Sequence, residues 1–459
     1  MTTPETTEPP VASPAPPPRS GSLLRGSAMR LVSDGSGILL GTVASVVTAR
    51  VLGPSGKGTL AALTFVTALV TQCCTLGLGD AAVVRIGQAK ASAQEALSAS
   101  LPAVALASVL GAAVVLGYSV LQLPVGDPNI WAAVAVGCVT VVVGAVGQLL
   151  VFVVYAGQRV VAVSVLTIAM SVTAAATVVL FCVVIDFGVF GGMLAGLAAG
   201  VLGLAVAGTM VHRAQLRLRP RIAPAYLRPA LSFGVRAQLA NVLAYSSARI
   251  DLLFVYALAT SHAAGLYSVA LTFGAITGFV AIALSFASFP PMAAMSDADA
   301  LELTARMARI ATLLGTALAV LLALAGSTLI AVLLGDDFGG ALAPTIVLLF
   351  ANVLWGVQWL LSRALAARGD PGLLVRCFSA NLAAMAVADA ILIPLAAATG
   401  AAVGALIAAI VGLGVCLRAY RRRGVHHASF VPRREDVQMV RAVVDRGVAR
   451  ARRRGDNAG

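Results

Sequence analysis

The sequence predicts an all-α, polytopic membrane protein with about twelve transmembrane helices in two six-helix halves. Three observations predict it. Of 459 residues, 59% are hydrophobic and 11% charged, against about 25% charged in an ordinary soluble domain. A soluble fold this apolar could not cover its own surface, and the mean hydropathy is +0.95. Apolar runs of membrane-crossing length recur between short polar connections. Finally, Ala-Leu-Thr-Phe occurs at 62–65 and again at 270–273, each time near the start of the second span of a six-span set.

Residues 1–30 open the chain. They are rich in Pro, Thr and Ser and lack the basic start and apolar run of a secretory signal, so a disordered tail is expected. The first half, 31–211, holds spans at 31–52, 59–82, 99–122, 130–155, 160–185 and 190–211. A bilayer core of ~30 Å needs about 20 helical residues, and each run supplies them. A basic linker, 212–229, follows. The second half, 230–420, holds spans at 230–257, 265–289, 306–334, 343–366, 373–396 and 401–420. The runs are continuously apolar and rich in Ala, Leu and Gly, without the alternation of an outer-membrane barrel.

Charge sets the orientation. With the N-terminus in the cytoplasm, 28 of the 32 basic residues fall on the cytoplasmic side, and only Arg50 and Lys57 fall outside. Both termini are then cytoplasmic. The net charge is +13, and more than half of it lies in the tail 421–459. Because that tail follows a hydrophobic span directly, its expected partner is the anionic bilayer surface and not nucleic acid. Within it, 434–454 can form a helix with valines on one side and arginines elsewhere, suited to lying on the membrane. Only Lys57 and Lys90 are lysines. Together with abundant Ala, Gly and Val this points to a high-GC bacterial genome, hence a bacterial cytoplasmic (inner) membrane.

Several chemistries find no support. The six cysteines lie in or beside apolar stretches, and the four histidines lie in connections, none at metal-ligand spacing. No metal, cofactor or catalytic residue is expected. Gly53-Pro-Ser-Gly-Lys-Gly-Thr59 superficially suggests a phosphate loop, but two residues separate its first Gly from Gly-Lys where the nucleotide pattern needs four. It reads instead as a tight turn, with Arg50 and Lys57 flanking an outer opening that would attract an anionic head group.

Charges inside the membrane cost ~2.5–3.5 kcal/mol on insertion scales, so intramembrane polar residues are the functional candidates. In the seventh span, Gln238, Asn241, Tyr245 and Arg249 share one helix face. Such a stripe should line a space between the halves, and Arg249 offers a fork of donors for phosphate or carboxylate. Arg236 sits near the cytoplasmic end of that span, either in the cavity or snorkelling. Asp251 lies on another face and is expected to bond to a neighbouring helix; it is also a candidate for ion coupling. Asp34 either caps the first span or takes part in ion coupling. Asp389, deeper in the eleventh span, either titrates in an ion-coupled cycle or neutralises an arginine elsewhere.

Certain segments resemble a known family. Thr48-Ala-Arg-Val-Leu-Gly-Pro-Ser-Gly-Lys-Gly58 resembles the first outer loop of polysaccharide flippases. Phe233-Gly-Val-Arg-Ala-Gln-Leu-Ala-Asn241, Ala248-Arg-Ile-Asp251, Ala264-Gly-Leu-Tyr267 and Phe289-Pro-Pro291 resemble that family's second-half pattern. The family is the oligosaccharide (O-antigen type) flippases of the multidrug/oligosaccharidyl-lipid/polysaccharide (MOP) exporter superfamily, which also holds the multidrug and toxin extruders (MATE) and the lipid II flippases. The resemblance covers about 25–420. Lipid II flippases carry two more spans than the twelve found here.

The resemblance implies a MATE-like fold and movement of a polyprenyl-pyrophosphate-linked glycan from the inner to the outer leaflet by alternating access. A glycan polymerase or glycosyltransferases are conceivable partners beside the membrane lipids. Two other readings stand against it. A small-molecule/cation antiporter calls for an aromatic or acidic cavity, whereas the stripe here ends in Arg249. An integral-membrane glycan-processing enzyme calls for a large outer loop with carboxylates, and the outer connections are short.

Overall fold

The computed structural model describes residues 20–123, 126–156, 160–217, 219–221, 223–292, 295–368, 370, 372–425, 427–430, 433, 435, 436 and 438. Most of the N-terminal tail and of the expected 434–454 surface helix lie outside the described residues. Among the described residues there is no strand, and nine helices are long and apolar enough to cross a membrane.

Helix α1 (Ser20–Cys74) begins well before the predicted span at 31 and runs through the expected loop at 53–58. It is two crossing segments joined at a bend. Gly53 takes φ 65°, a left-handed value open to glycine, and Pro54 follows. Proline lacks the amide needed to continue the ladder.

Short α2 (Leu78–Gly87) leads to α3 (Ala93–Gln122). Its first turn is capped by Ser92, which accepts from the Glu95 amide at 3.1 Å. Next come α4 (Pro128–Ala156), α5 (Val160–Val178) with a π-helical continuation (Val179–Val184), and α6 (Gly188–Arg213).

The predicted seventh span is broken into α7 (Pro224–Ser247) and α8 (Asp251–Leu258). At the break, three-residue hydrogen bonds replace the four-residue ladder. The Arg249 amide donates to the Ser246 carbonyl at 3.1 Å, and the Ser247 hydroxyl takes up the Ala244 carbonyl at 3.0 Å. Beyond lie α9 (Ser261–Met292), α10 (Asp297–Leu334), α11 (Leu342–Ala366) and α12 (Gly372–Arg421). Pro394 and the non-helical Ala396 and Ala397 bend α12 into two segments.

With α1 and α12 each bent in two and α7–α8 forming one broken span, the described helices supply the twelve crossings expected.

The burial pattern is that of a membrane protein. On α3 the buried side is Ser100, Val104, Ser108, Gly111, Val115 and Ser119. The exposed side carries Leu106, Val109, Leu110 and Leu121, the last of them 81% exposed. Small residues allow close helix approach where lipid gives no hydrophobic drive, while large apolar side chains face the acyl chains.

The halves meet along α1 and α9. Their shared core joins Leu60, Leu63 and Phe65 of α1 with Val255, Tyr267 and Leu348 from the second half. Two hydroxyl contacts cross the same boundary: Ser45 with Thr272 at 3.0 Å and Thr59 with Tyr256 at 3.3 Å.

Candidate functional site

A chamber of about 730 Å³ lies between the halves, walled by α1, α5, α6 and α9 and by the α7–α8 break. It follows α1 from Arg30 to Thr48. At 1.5 Å per residue that is about 27 Å, close to a bilayer core. Both copies of the repeated tetrapeptide reach it, through Thr64 and Phe65 in one half and Leu271 and Thr272 in the other.

Four charged side chains line the chamber: Arg30, Asp34, Lys57 and Arg249. Arg30 Nε donates to Asp34 Oδ2 at 3.1 Å, so these two charges offset each other. Lys57 and Arg249 form no ion pair with any described carboxylate. Lys57 is 8% exposed, and its Nζ donates to Thr48 Oγ1 at 2.9 Å. Arg249 is exposed to the chamber and close enough that the two cations repel. Asp251, behind the wall, feels the Arg249 charge but forms no ion pair with it, so the two cations against one such carboxylate leave the wall net positive, which suits an anion.

The predicted stripe is only partly assembled. Tyr245 and Arg249 line the chamber, and Tyr245 stacks on Phe65 with ring centroids 5.6 Å apart. Gln238 and Asn241 do not line it. The Gln238 carboxamide donates to the Gln72 carbonyl, and Asn241 Nδ2 donates to Asp80 Oδ2 at 3.1 Å. Both tie α7 to the first half.

Arg236 is exposed and lies nine residues before Tyr245, half a turn away on the helix wheel, so it leaves the chamber face. Arg50 is also absent from the chamber. Two residues beyond Thr48 on a continuous helix, it projects to the far side and donates to the Val332 carbonyl of α10. Its expected companion Lys57 turns inward. The sequence marked Lys57 through its Gly-rich motif and the scarcity of lysine, but placed it at an outer opening and not in the chamber wall.

Asp34 stands in the chamber wall, whereas Asp251 and Asp389 lie behind it in the second half. Asp251 is 1% exposed, accepts from the Leu252 amide at 2.9 Å and accepts from the Tyr267 hydroxyl of α9. The predicted bond to a neighbouring helix is therefore present. Asp389 on α12 is fully buried, and neither carboxylate oxygen has a hydrogen-bond partner among the described residues. No metal-holding group of His, Cys, Asp and Glu occurs among the described residues.

Long apolar helices in two bundles around a chamber with a basic wall define a multi-pass membrane protein. A family model described as "Polysaccharide biosynthesis protein" matches residues 47–343, and the chain belongs to that family.

Solved structures share the fold. The lipid II flippase MurJ in an inward closed conformation superposes with a TM-score of 0.69 at 13% identity, over 86% of this chain and 87% of that one. A MOP-superfamily transporter from Pyrococcus furiosus gives 0.61 at 13% identity, over 88% and 95%. A mutant of the Vibrio cholerae MATE transporter VcmN gives 0.59 at 15% identity, over 89% and 98%. No curated protein matches the chain by sequence.

Proposed function

We propose that this protein is a flippase that moves a polyprenyl-pyrophosphate-linked oligosaccharide or polysaccharide precursor across the bacterial cytoplasmic membrane. The observation that carries the reading is the pair of cations, Lys57 and Arg249, facing one chamber between the halves, neither of them in an ion pair with a described carboxylate. A pyrophosphate supplies that counter-charge, and a guanidinium binds phosphate oxygens through paired donors. The glycan occupies the polar chamber while the prenyl tail stays in lipid. The balance of charge disfavours a cation antiporter, because the only carboxylate on the described wall, Asp34, is already paired.

Both termini face the cytoplasm in this reading, so the Gly53 bend lies at the outer surface. The inter-half core near that bend closes the outer side, and the cycle opens each side in turn.

Coupling belongs to Asp251 and Asp389. Two buried carboxylates that feel each other's charge cannot both remain bare in a low-dielectric bundle. A proton or a cation bound there links the gradient to the movement of the halves. Asp34 is a third candidate, held by Arg30 until the chamber is occupied.

The test is flipping of a fluorescent polyprenyl-pyrophosphate sugar in proteoliposomes. Arg249→Ala should lower the rate at least tenfold, with insertion and melting temperature unchanged, since the side chain has no ion-pair partner to lose. Wild-type rates in Arg249→Ala and Lys57→Ala proteins would defeat the proposal.

A further inference from the structure

A second compartment of about 280 Å³ opens beside the main chamber, inside the first half between α1, α4 and α6. The two spaces share Thr64, Gly192, Gly196 and Tyr245 in their walls, so Tyr245 stands at the passage between them. Their chemistry differs. The main chamber is charged, whereas the side compartment has no charged residue in its described lining. Its polar groups are the hydroxyls of Thr64, Thr67, Thr71 and Thr140 and the carboxamides of Gln72 and Gln148.

These groups are poised to bind. Thr71 and Thr140 donate to the carbonyls of Thr67 and Val136 on their own helices, which leaves their oxygens free to accept. Neither the Gln72 nor the Gln148 carboxamide has a side-chain hydrogen bond among the described residues, so each keeps both donors and an acceptor. Thr67 is 3% exposed, and its hydroxyl has no partner at all among the described residues. That oxygen has almost no accessible surface in the compartment and abuts Gly137 of α4, so the binding groups are the other hydroxyls and the two carboxamides.

We infer that the side compartment is a subsite for one uncharged sugar unit of the transported molecule, next to the cationic site that holds its pyrophosphate. The inference rests on the flippase reading above. Sugar hydroxyls both donate and accept, matching the few threonine hydroxyls and carboxamides set in a mostly apolar wall, against which the C–H faces of a sugar ring pack. The volume sits at the lower end of small-ligand pockets, ~300–1,000 Å³, and holds a sugar unit but not a whole oligosaccharide. A uronate or phosphorylated sugar finds no counter-charge there and pays its desolvation cost unaided.

The experiment uses three probes on the full-length protein in detergent, followed by titration calorimetry. They are a short-chain polyprenyl pyrophosphate, the same carrier bearing N-acetylglucosamine, and the same carrier bearing glucuronic acid. The N-acetylglucosamine carrier should bind about tenfold tighter than the bare one, as expected where a site is built to hydrogen-bond hydroxyls. The glucuronic acid carrier should show no such gain.

Gln148→Leu should abolish the gain. Thr140→Val, which keeps side-chain shape, should reduce it and covers the case in which the first variant does not fold. Arg249→Ala should weaken all three probes alike.

Equal binding of the bare and N-acetylglucosamine carriers, or a gain that survives both substitutions, would show a compartment filled by water only. An equal gain for glucuronic acid would overturn the uncharged assignment. If no probe binds, the flippase reading itself fails, and the subsite with it.

Discussion

Gly58 and Gly265, each a few residues ahead of a copy of Ala-Leu-Thr-Phe, sit against each other across the boundary between the halves. A Cβ on Gly58 would fall 2.7 Å from the Gly265 nitrogen and would overlap the Ser261 carbonyl, while a Cβ on Gly265 would overlap the Pro54 carbonyl. Backbone meets backbone here because neither residue has a side chain. Each half thus brings a glycine to the same seam.

Any side chain at 58 should hold that seam open. In a Cys73→Ser background, a Thr48→Cys probe, buried in the chamber wall, should react slowly with an impermeant maleimide added from the Gly53 side. Adding Gly58→Val should speed labelling several-fold and depress transport. Unchanged labelling would show that the halves do not close here.

Tyr245 contributes its ring to the stack on Phe65. Tyr245→Phe should keep the melting temperature. Tyr245→Ala should lose the stacking contribution of ~1 kcal/mol together with the buried ring area, visible as a lower midpoint in thermal melting. Equal melting of the two variants would mean the stack contributes nothing.

Asp389→Asn replaces a fully buried, unpartnered carboxyl by a neutral amide of the same shape. The protein should fold and melt no lower than wild type, but flipping should lose its dependence on the imposed ion gradient. Asp251→Asn should do the same, because the amide oxygen still accepts from Tyr267. Retained gradient dependence in both would remove these residues from coupling.

The start of the C-terminal tail is pinned to α10. Arg309 Nε donates to Asp436 Oδ2 at 2.8 Å, and its Nη1 donates to the Ser429 carbonyl at 2.7 Å. Burial opposes ionisation of Asp436, but the Arg309 bond and the Arg433 amide outweigh it and hold this carboxyl below the usual carboxylate range. A lowered folded-state value means the contribution is present above the unfolded value of ~3.9 and is lost as pH falls through the folded one. Amide exchange at Arg433 and Asp436 should therefore stay slow at neutral pH and rise only under strong acid. Asp436→Asn should release the segment at pH ~7.5, well above both values, seen as faster tryptic cleavage after Arg433.

The sequence alone determined the solvent, the crossings and the repeat. Twenty-residue apolar runs leave the chain no stable place but a bilayer, and satisfying every backbone group there requires helices. It also marked Tyr245 and Arg249, because charged and polar side chains among apolar ones are conspicuous. Tertiary structure decided which of the marked residues face the chamber. Helical periodicity assigns a face only while the helix continues, and the break at 248–250 and the bend at Gly53 re-aim everything beyond them. That is why Lys57, placed in a loop by its neighbours in sequence, becomes a wall of the chamber, whereas Gln238 and Asn241, on the unbroken α7, are taken up by Gln72 and Asp80 of the first half, and Arg50, ahead of the bend, reaches α10.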